Sequence, residues 1–419
     1  MRLLVVTYRI PEDLCTGDRT TVHHLLKYLS QRHEITFVSL IRSMEQYQQT
    51  EYVAPYCKRV ELVNLPRWRS AVNAAAGFFS QRPLQLSFFH SSEMSRRIRQ
   101  VVEEEQIDVV YGYHLRSAQY LDRITERPTV LDLKPVQTLN LGRMKRHISN
   151  PVRRFLYGSE FRRVRKYEPA VASRLSRCLV ISNADRQAID PQGKLQNVIV
   201  NPHGLDPDYF APNPDEAKMP GRIVFSGNMS YDPNVDAIVH FVDEVYPLIK
   251  QIRPHVTLSV VGKNPKPSVS ALDRDPSIEV TGFVDDIRPY LNRAEIAVNP
   301  LRIGAGLQNK VMEAMSMELP MVMTTVANEG IQSTAGVHAV LADSTTALVS
   351  SIVRLLDDAH ERTRIGQAAR RWILDKWSWE RHFQPLEKML VDLAQSGTAP
   401  IIGTTNEAES KSSTVDAVV

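Results

Sequence analysis

Thirteen short runs of β-branched and aliphatic residues, set between longer amphipathic segments, constrain this chain more than any other feature of it. "RLLVVT", "HEITFVSL", "RVELVNL", "DVVYGY", "PTVLDL", "CLVIS" and "NVIVN" read as one series of strands. "RIVFSGN", "VTLSVVG", "SIEVTG", "EIAVN", "PMVMT" and "VHAVLA" read as a second. Periodic stretches such as Thr20 to Gln31 and Glu93 to Glu105 read as helices between them. Strands that alternate with helices imply parallel sheets covered on both faces. Between the series lies Pro202 to Gly221, with Pro202, Pro207, Pro212, Pro214 and Pro220, which marks a domain boundary. The expected architecture is α/β: two doubly wound, Rossmann-like domains, residues 1–212 and 213–395, facing across a cleft. The last helix is expected to pack back on the first domain. Such domains place ligands at the carboxyl ends of their strands, and a cleft between two of them suits a bisubstrate reaction. Residues 396–419, rich in Ser, Thr and Ala without periodicity, are expected to be disordered.

Composition narrows the class. A chain of 419 residues with 43% hydrophobic and 23% charged residues is ordinary for a globular protein of two or three domains. Cys15, Cys57 and Cys178 are odd in number and widely spaced, so neither a disulfide framework nor a zinc site is indicated. A reducing compartment fits. No run approaches the roughly 20 apolar residues needed to cross a bilayer, so a cytoplasmic location is expected, with contact at a membrane surface left open. Charge divides unevenly: residues 1–212 hold 31 Lys+Arg against 21 Asp+Glu, net +10, and residues 213–419 hold 20 against 26, net −6. From Arg143 to Lys166, nine basic residues face the single acid Glu160 and are interleaved with Val152, Phe155, Leu156 and Phe161. Such a segment suits anionic lipid or a solvated helix face, and both readings stay open. Nucleic acid is not expected as a partner, because no recognisable nucleic-acid motif accompanies the charge.

The segment "GAGLQNKVMEAMSMELP", Gly304 to Pro320, sets a glycine-framed loop before a helical pattern whose first turn carries Lys310. A cation there opposes the partial positive charge of the helix start. A bound anion removes the conflict: phosphate oxygens take the N–H groups of Gly304, Ala305 and Gly306 while Lys310 supplies a full charge. An exposed Lys310–Glu313 pair at i,i+3, worth a few tenths of a kcal/mol, is the bland alternative. Spacing alone does not choose between them.

The stretch "GNMSYDPNVDAIVHF…VTGFVDDIRPYLNRAEIAVNPLRIGAGLQNKVMEAMSMELPMVMTTVANEGI" resembles the donor-binding half of GT-B glycosyltransferases of family 4, especially the bacterial branch linked to polysaccharide and exopolysaccharide synthesis. "CTGDRTTVHHLLKYLSQRHEITFVSL" is similar to that branch's first glycine loop and helix, and coverage runs from Met1 to about Gln395. By this resemblance Glu313 is the ligand of the nucleotide ribose, and Lys310 with the Gly304–Gly306 amides holds the diphosphate. Glu329 and Gly330 match the acidic turn after the next strand. Gly17, Asp18 and Arg19 fall on the loop that faces the donor phosphates and acceptor, and His203 and Gly204 on the interdomain connection. Three departures stand out. Ala305 occupies the place of the family's first motif glutamate. "FSGNMSYDPNVD" lacks the usual cations, which leaves Arg302 and Lys310, with Arg19, to neutralise the diphosphate. Glu318 replaces a glycine at the end of the motif helix.

The remaining side chains carry two readings each. His114 ends a strand and either faces the acceptor or is packed and hydrogen-bonded. Asn228 and Asn234 either contact the donor or terminate a strand and cap a helix. Trp377 and Trp379 suit core anchoring better than sugar stacking. The resemblance implies a retaining, metal-independent transfer of a sugar from a nucleotide-diphosphate sugar to the hydroxyl of a carbohydrate or lipid-linked acceptor. It also implies no cofactor. The alternatives are a nucleotide-sugar epimerase of the same fold and a non-catalytic nucleotide-binding scaffold.

Overall fold

A computed structural model describes the chain apart from residues 12–16, 44–45, 47–49, 147–150, 203, 304–306 and 398–419, and apart from the side chains of 17–20, 143 and 145–146. The tail from residue 398 therefore lies outside the described residues. All thirteen anticipated strands form. β1 (Arg2–Thr7), β2 (Glu34–Ile41), β3 (Arg59–Asn64), β4 (Val109–Tyr113), β5 (Thr129–Asp132), β6 (Arg177–Val180) and β7 (Val198–Val200) make one sheet in the order β3-β2-β1-β4-β5-β6-β7. β8 (Arg222–Ser226), β9 (Thr257–Val261), β10 (Ile278–Gly282), β11 (Ile296–Asn299), β12 (Met321–Met323) and β13 (Val340–Leu341) make a second, in the order β10-β9-β8-β11-β12-β13. Every pairing is parallel, for example Val5 opposite Phe37 and Tyr111, and Val224 opposite Ser259 and Ala297. The reason is in the side chains: Leu3 to Val6 and Leu258 to Val261 are buried on both faces, as runs without alternation require.

The chain divides into two units, Met1–Val200 with the chain from Glu387 on, and Asn201–Leu386. The proline-rich stretch goes with the second unit. Leu205 is buried there, donating its N–H to Trp377 O at 2.6 Å and accepting from Trp379 N at 3.3 Å, while Lys218 Nζ donates to Ala294 O at 2.9 Å. The division thus falls after β7, earlier than the prolines suggested, because they sit in a strap already stitched to the second core. Trp377 belongs to that core, and Trp379 stacks on Phe383 at 5.1 Å. Gly204 has no room for a side chain: a Cβ would lie 2.6 Å from Trp379 Cα. In the first unit, the Glu387 carboxylate accepts from Tyr28 Oη, Arg32 Nη1 and His33 Nε2 at 2.9, 2.8 and 2.9 Å.

The basic segment is largely helix, Gln137–Arg146 and Pro151–Ala172. Arg153, Arg154, Arg162, Arg165 and Lys166 are exposed on the second of these, beside exposed Val152 and Phe155. Arg163 differs. It donates to the carbonyls of Gly77, Phe78 and Arg82 at 3.2, 2.7 and 3.3 Å. Glu160, the lone acid, accepts from the N–H groups of Leu84 and Gln85, capping the helix Leu84–Phe88.

Candidate functional site

In a doubly wound sheet the ligand crevice opens where the strand order reverses. In the second sheet that point lies between β8 and β11, and the chain there is built for close approach. Gly227 and Gly262 follow β8 and β9 with φ of +152° and +153°, and a Cβ on Gly262 would lie 1.7 Å from Gly227 O, so only glycine fits. Asn228 then closes a turn, its Oδ1 accepting from Ser230 N and Oγ at 3.0 and 2.8 Å. Asn234 lies inside the helix Asp232–His240, whose N-cap is Tyr231, so it does not cap. It bridges instead: Nδ2 donates to Asn228 O at 3.0 Å, and Oδ1 accepts from Lys310 Nζ at 2.6 Å.

Lys310 enters this crevice from the first turn of the helix Asn309–Ser316, with its ammonium 4.6 Å from the centroid of the Phe225 ring. Burial pulls its pKa down to about 7, with Glu313 opposing. The Glu313 carboxyl, one turn on, is pushed up to about 7 by burial, with Lys310 opposing. Among the described residues no hydrogen bond or ion pair joins them, and none reaches the Glu313 carboxylate from elsewhere. The intrahelical pair is therefore not what holds Lys310. Asn234, brought from 76 positions away in sequence, does. A cation and a carboxylate held apart at one helix start, at a crevice mouth, can take the phosphate and hydroxyl groups of one ligand.

The other anticipated donor residues scatter around this core. Arg302 forms a bidentate pair with Asp236, Nε–Oδ2 3.0 Å and Nη2–Oδ1 2.6 Å, which raises its pKa. To reach an anion it must share or leave that carboxylate. Glu329 is exposed just after the helix Thr325–Asn328, and Gly330 follows it. Gly304, Ala305, Gly306 and His203 lie outside the described residues. Gly17, Asp18 and Arg19 form the first turn of the helix Gly17–Leu29, their side chains undescribed. Glu318 adopts φ +56° after the C-cap Met317, so the left-handed turn forms without a glycine. Asn299, which sequence reasoning passed over, ends β11 fully buried with neither Nδ2 nor Oδ1 partnered. A carboxamide closing a central strand before a glycine loop was its only visible signal.

The first sheet reverses order between β1 and β4, and His114 stands there. It is buried, with φ +71°, and N-caps the helix Leu115–Leu121 through Nδ1, which accepts from Arg116 N at 3.2 Å. Its ring lies 4.7 Å from that of Tyr8, and Nε2 is 3.4 Å from the Gln137 amide. Burial, then the charges of Arg116 and Arg9, hold its pKa well below the usual imidazole value. His114 is thus packed and hydrogen-bonded, and the lowered pKa favours its neutral form over a cation. Behind it Asp132, buried, accepts from Tyr111 Oη at 2.5 Å and pairs with Lys134 Nζ at 3.1 Å. A shallow depression lined by Arg2, Gln31, Arg32, Glu34 and Asp108 lies at the opposite ends of these strands, away from their reversal point. Among the described residues no group of His, Cys, Asp and Glu has the makings of a metal site, and no helix is long and apolar enough to cross a membrane.

Comparison with known proteins bears on both units. Residues 220–358 match the profile of the family described as Glycosyl transferases group 1. A Klebsiella pneumoniae protein described as an uncharacterized 44.6 kDa protein in cps region is 20% identical over 406 residues, 92% of this chain and 99% of that one. Among solved structures, Anabaena Alr3699/HepE in complex with UDP aligns at 14% identity over 94% of this chain and 100% of that chain, with a TM-score of 0.65. Sucrose-phosphate synthase from Thermosynechococcus elongatus aligns at 13% identity over the same shares, with a TM-score of 0.66. At such identities the likeness establishes the fold, which is GT-B.

Proposed function

We propose that this chain, a glycosyltransferase of GT-B fold whose residues 220–358 form a group 1 domain, moves a sugar from a uridine-diphosphate donor to an acceptor hydroxyl with retention of configuration, in polysaccharide or glycolipid assembly. The observation that carries it is Lys310, held by Asn234 over Phe225 beside the Gly227–Gly262 approach, with Glu313 one turn away and unpartnered among the described residues. Diphosphate oxygens complete the coordination of Lys310, and ribose hydroxyls satisfy Glu313. As the sugar–phosphate bond breaks, negative charge grows on the leaving phosphate. A fixed ammonium and helix N–H groups aimed at it lower the barrier without reorganisation. Uridine is favoured by the UDP complex of the Anabaena neighbour, and polysaccharide assembly by the cps-region relative. No metal or cofactor is assigned a role.

A thermal-shift panel of UDP, GDP, ADP and their sugars tests this, because a ligand at 100 times its Kd stabilises by about 2.7 kcal/mol. UDP should raise the melting temperature and one UDP-sugar should raise it further. Lys310→Met, which keeps the packing on Phe225, should weaken UDP about tenfold or more. NMR of the product formed with EDTA present should show the donor's anomeric configuration. Inversion, conversion of the donor sugar without acceptor, or UDP affinity unchanged in Lys310→Met would each overturn the corresponding part.

The exposed basic and apolar face of Pro151–Ala172 fits an anionic leaflet, and we assign the protein a peripheral place on the inner face of the membrane.

A further inference from the structure

The carboxyl ends of β1, β2 and β4 carry a group of three arginines. Arg9 follows β1, Arg42 follows β2 and Arg116 follows β4. All three lie over aromatic rings packed in the same corner. The Arg116 guanidinium is 4.6 Å from the Tyr8 centroid and 4.7 Å from that of Phe89. Arg42 is 4.8 Å from Phe88 and 5.6 Å from the same Phe89, and Arg9 is 5.2 Å from Tyr8. The rings brace one another edge to face, Tyr8 on Phe89 at 5.2 Å and Phe88 on Phe89 at 5.0 Å. Tyr8 also meets the His114 ring, so the group borders the strand-order reversal of the first sheet.

Ring faces satisfy a guanidinium's flat surface and leave its N–H edge to find an acceptor. For Arg42 that acceptor is missing. Its side chain forms no ion pair or hydrogen bond with any described residue, and its Nε is buried without a partner. Burial, reinforced by the positive charge of Arg67, pulls its pKa down. Two guanidiniums share one ring, and among the described residues no carboxylate meets Arg42, which is a costly arrangement. A bound anion removes the cost, and planar, forked donors select carboxylate and phosphate oxygens.

The geometry points to an acceptor subsite at Arg42 and Arg116, floored by Tyr8 and Phe89, that binds an anionic group of the acceptor, either a sugar carboxylate or a phosphate ester. This rests on reading the first unit as the acceptor half of a sugar transferase, and it adds the acceptor's chemical class. An anchored anion would fix the acceptor by a group that does not react, leaving a hydroxyl free for transfer.

Titrations of the full chain by calorimetry test it, with and without saturating UDP so that diphosphate binding near Lys310 is blocked in one arm. Methyl β-glucuronoside is compared with methyl β-glucoside, and geranyl diphosphate with geraniol. At least one anion should bind about tenfold or more tightly than its neutral match, and the arm that responds separates carboxylate from phosphate. Arg42→Gln should lose that margin, and Arg42→Lys, which keeps the charge but not the fork, should retain only part of it. Equal binding of anion and neutral match by the wild type, or an unchanged margin in Arg42→Gln, overturns the subsite. The wild-type comparison stands even if Arg42→Gln fails to fold. UDP binding without anion selectivity sinks this inference and spares the sugar-transfer reading, whereas Arg42-dependent anion binding without UDP binding does the reverse.

Discussion

Gly262 and Glu318 show how far single residues set the turns of the second unit, and they do so in opposite senses. Any side chain at Gly262 would run into the backbone carbonyl of Gly227, which has no rotamer to yield with. Gly262→Ala should therefore destabilise the protein by about 3 kcal/mol, through overpacking and a strained φ together. It should also loosen the turn that holds Asn234. Glu318 sits at φ +56° where a glycine costs nothing. Its carbonyl also packs against Gly366, where a Cβ would come within 2.1 Å of it. Glu318→Gly should relieve the left-handed penalty and stabilise by up to about 1 kcal/mol. Chemical denaturation of both variants checks the pair, and an unchanged midpoint for Gly262→Ala would show that the two turns can separate. The left-handed position was readable from the missing glycine. The Gly227–Gly262 contact was not, because two residues 35 apart in sequence become neighbours only when β8 pairs with β9.

At the scale of elements, the helix Asn309–Ser316 joins two titrations that oppose one another. Glu313 is raised in the folded chain, so its contribution is fully present below its unfolded value near 4.5 and is lost as pH rises towards 7. Lys310 is lowered, so its contribution grows as pH rises from 7 towards 10.5. Together they place a local minimum of stability near pH 7. On the proposed reading, nucleotide reverses both signs, since phosphate favours the ammonium and ribose hydroxyls favour the carboxylate. UDP affinity should peak near pH 7, and Lys310→Met with Glu313→Gln should flatten that component. Isothermal titration across pH 5.5 to 9 measures it, and a profile that the double variant leaves unaltered would detach both residues from the nucleotide. The central strands were legible because parallel strands buried on both faces are unbroken apolar runs, and the partly buried β3 and β10 by their β-branched and aliphatic residues. Their spatial order was not, since nothing within a single run specifies its neighbour. The helix Arg67–Phe78 went unread for a related reason: it buries only Ser70 and Gly77, so no apolar stripe betrays it. Lys310 was legible as a cation in the wrong place, but its partner Asn234 arrives through tertiary structure, and Asn299 looked like an ordinary strand end.

For the whole molecule, charge and exposed apolar surface coincide on the first unit. The +10 of residues 1–212 is concentrated in a segment whose described helix, Pro151–Ala172, exposes Arg153, Arg154, Arg162, Arg165 and Lys166 beside Val152 at 66% and Phe155 at 62%. A solvated helix face has no use for two such side chains, whereas a bilayer interface has a use for both kinds. Basic residues near an anionic leaflet contribute about 1 kcal/mol each, screened over a Debye length of roughly 8 to 10 Å. The protein should therefore sediment with anionic liposomes at low salt and release as salt rises. Which arginines to change is decided by the structure. Arg163 is spent on the carbonyls of Gly77, Phe78 and Arg82, so its reversal would damage the fold and confuse the result. Arg153→Glu, Arg154→Glu and Arg162→Glu together should abolish sedimentation while UDP still shifts the melting temperature, because Asn234, Lys310 and Glu313, the proposed donor residues, belong to the other unit. Phe155→Ser should weaken sedimentation at high salt more than at low salt, since the apolar contribution is not screened. Equal sedimentation with neutral and anionic liposomes, or retention by the triple variant, would return this face to solvent and leave a water-soluble acceptor.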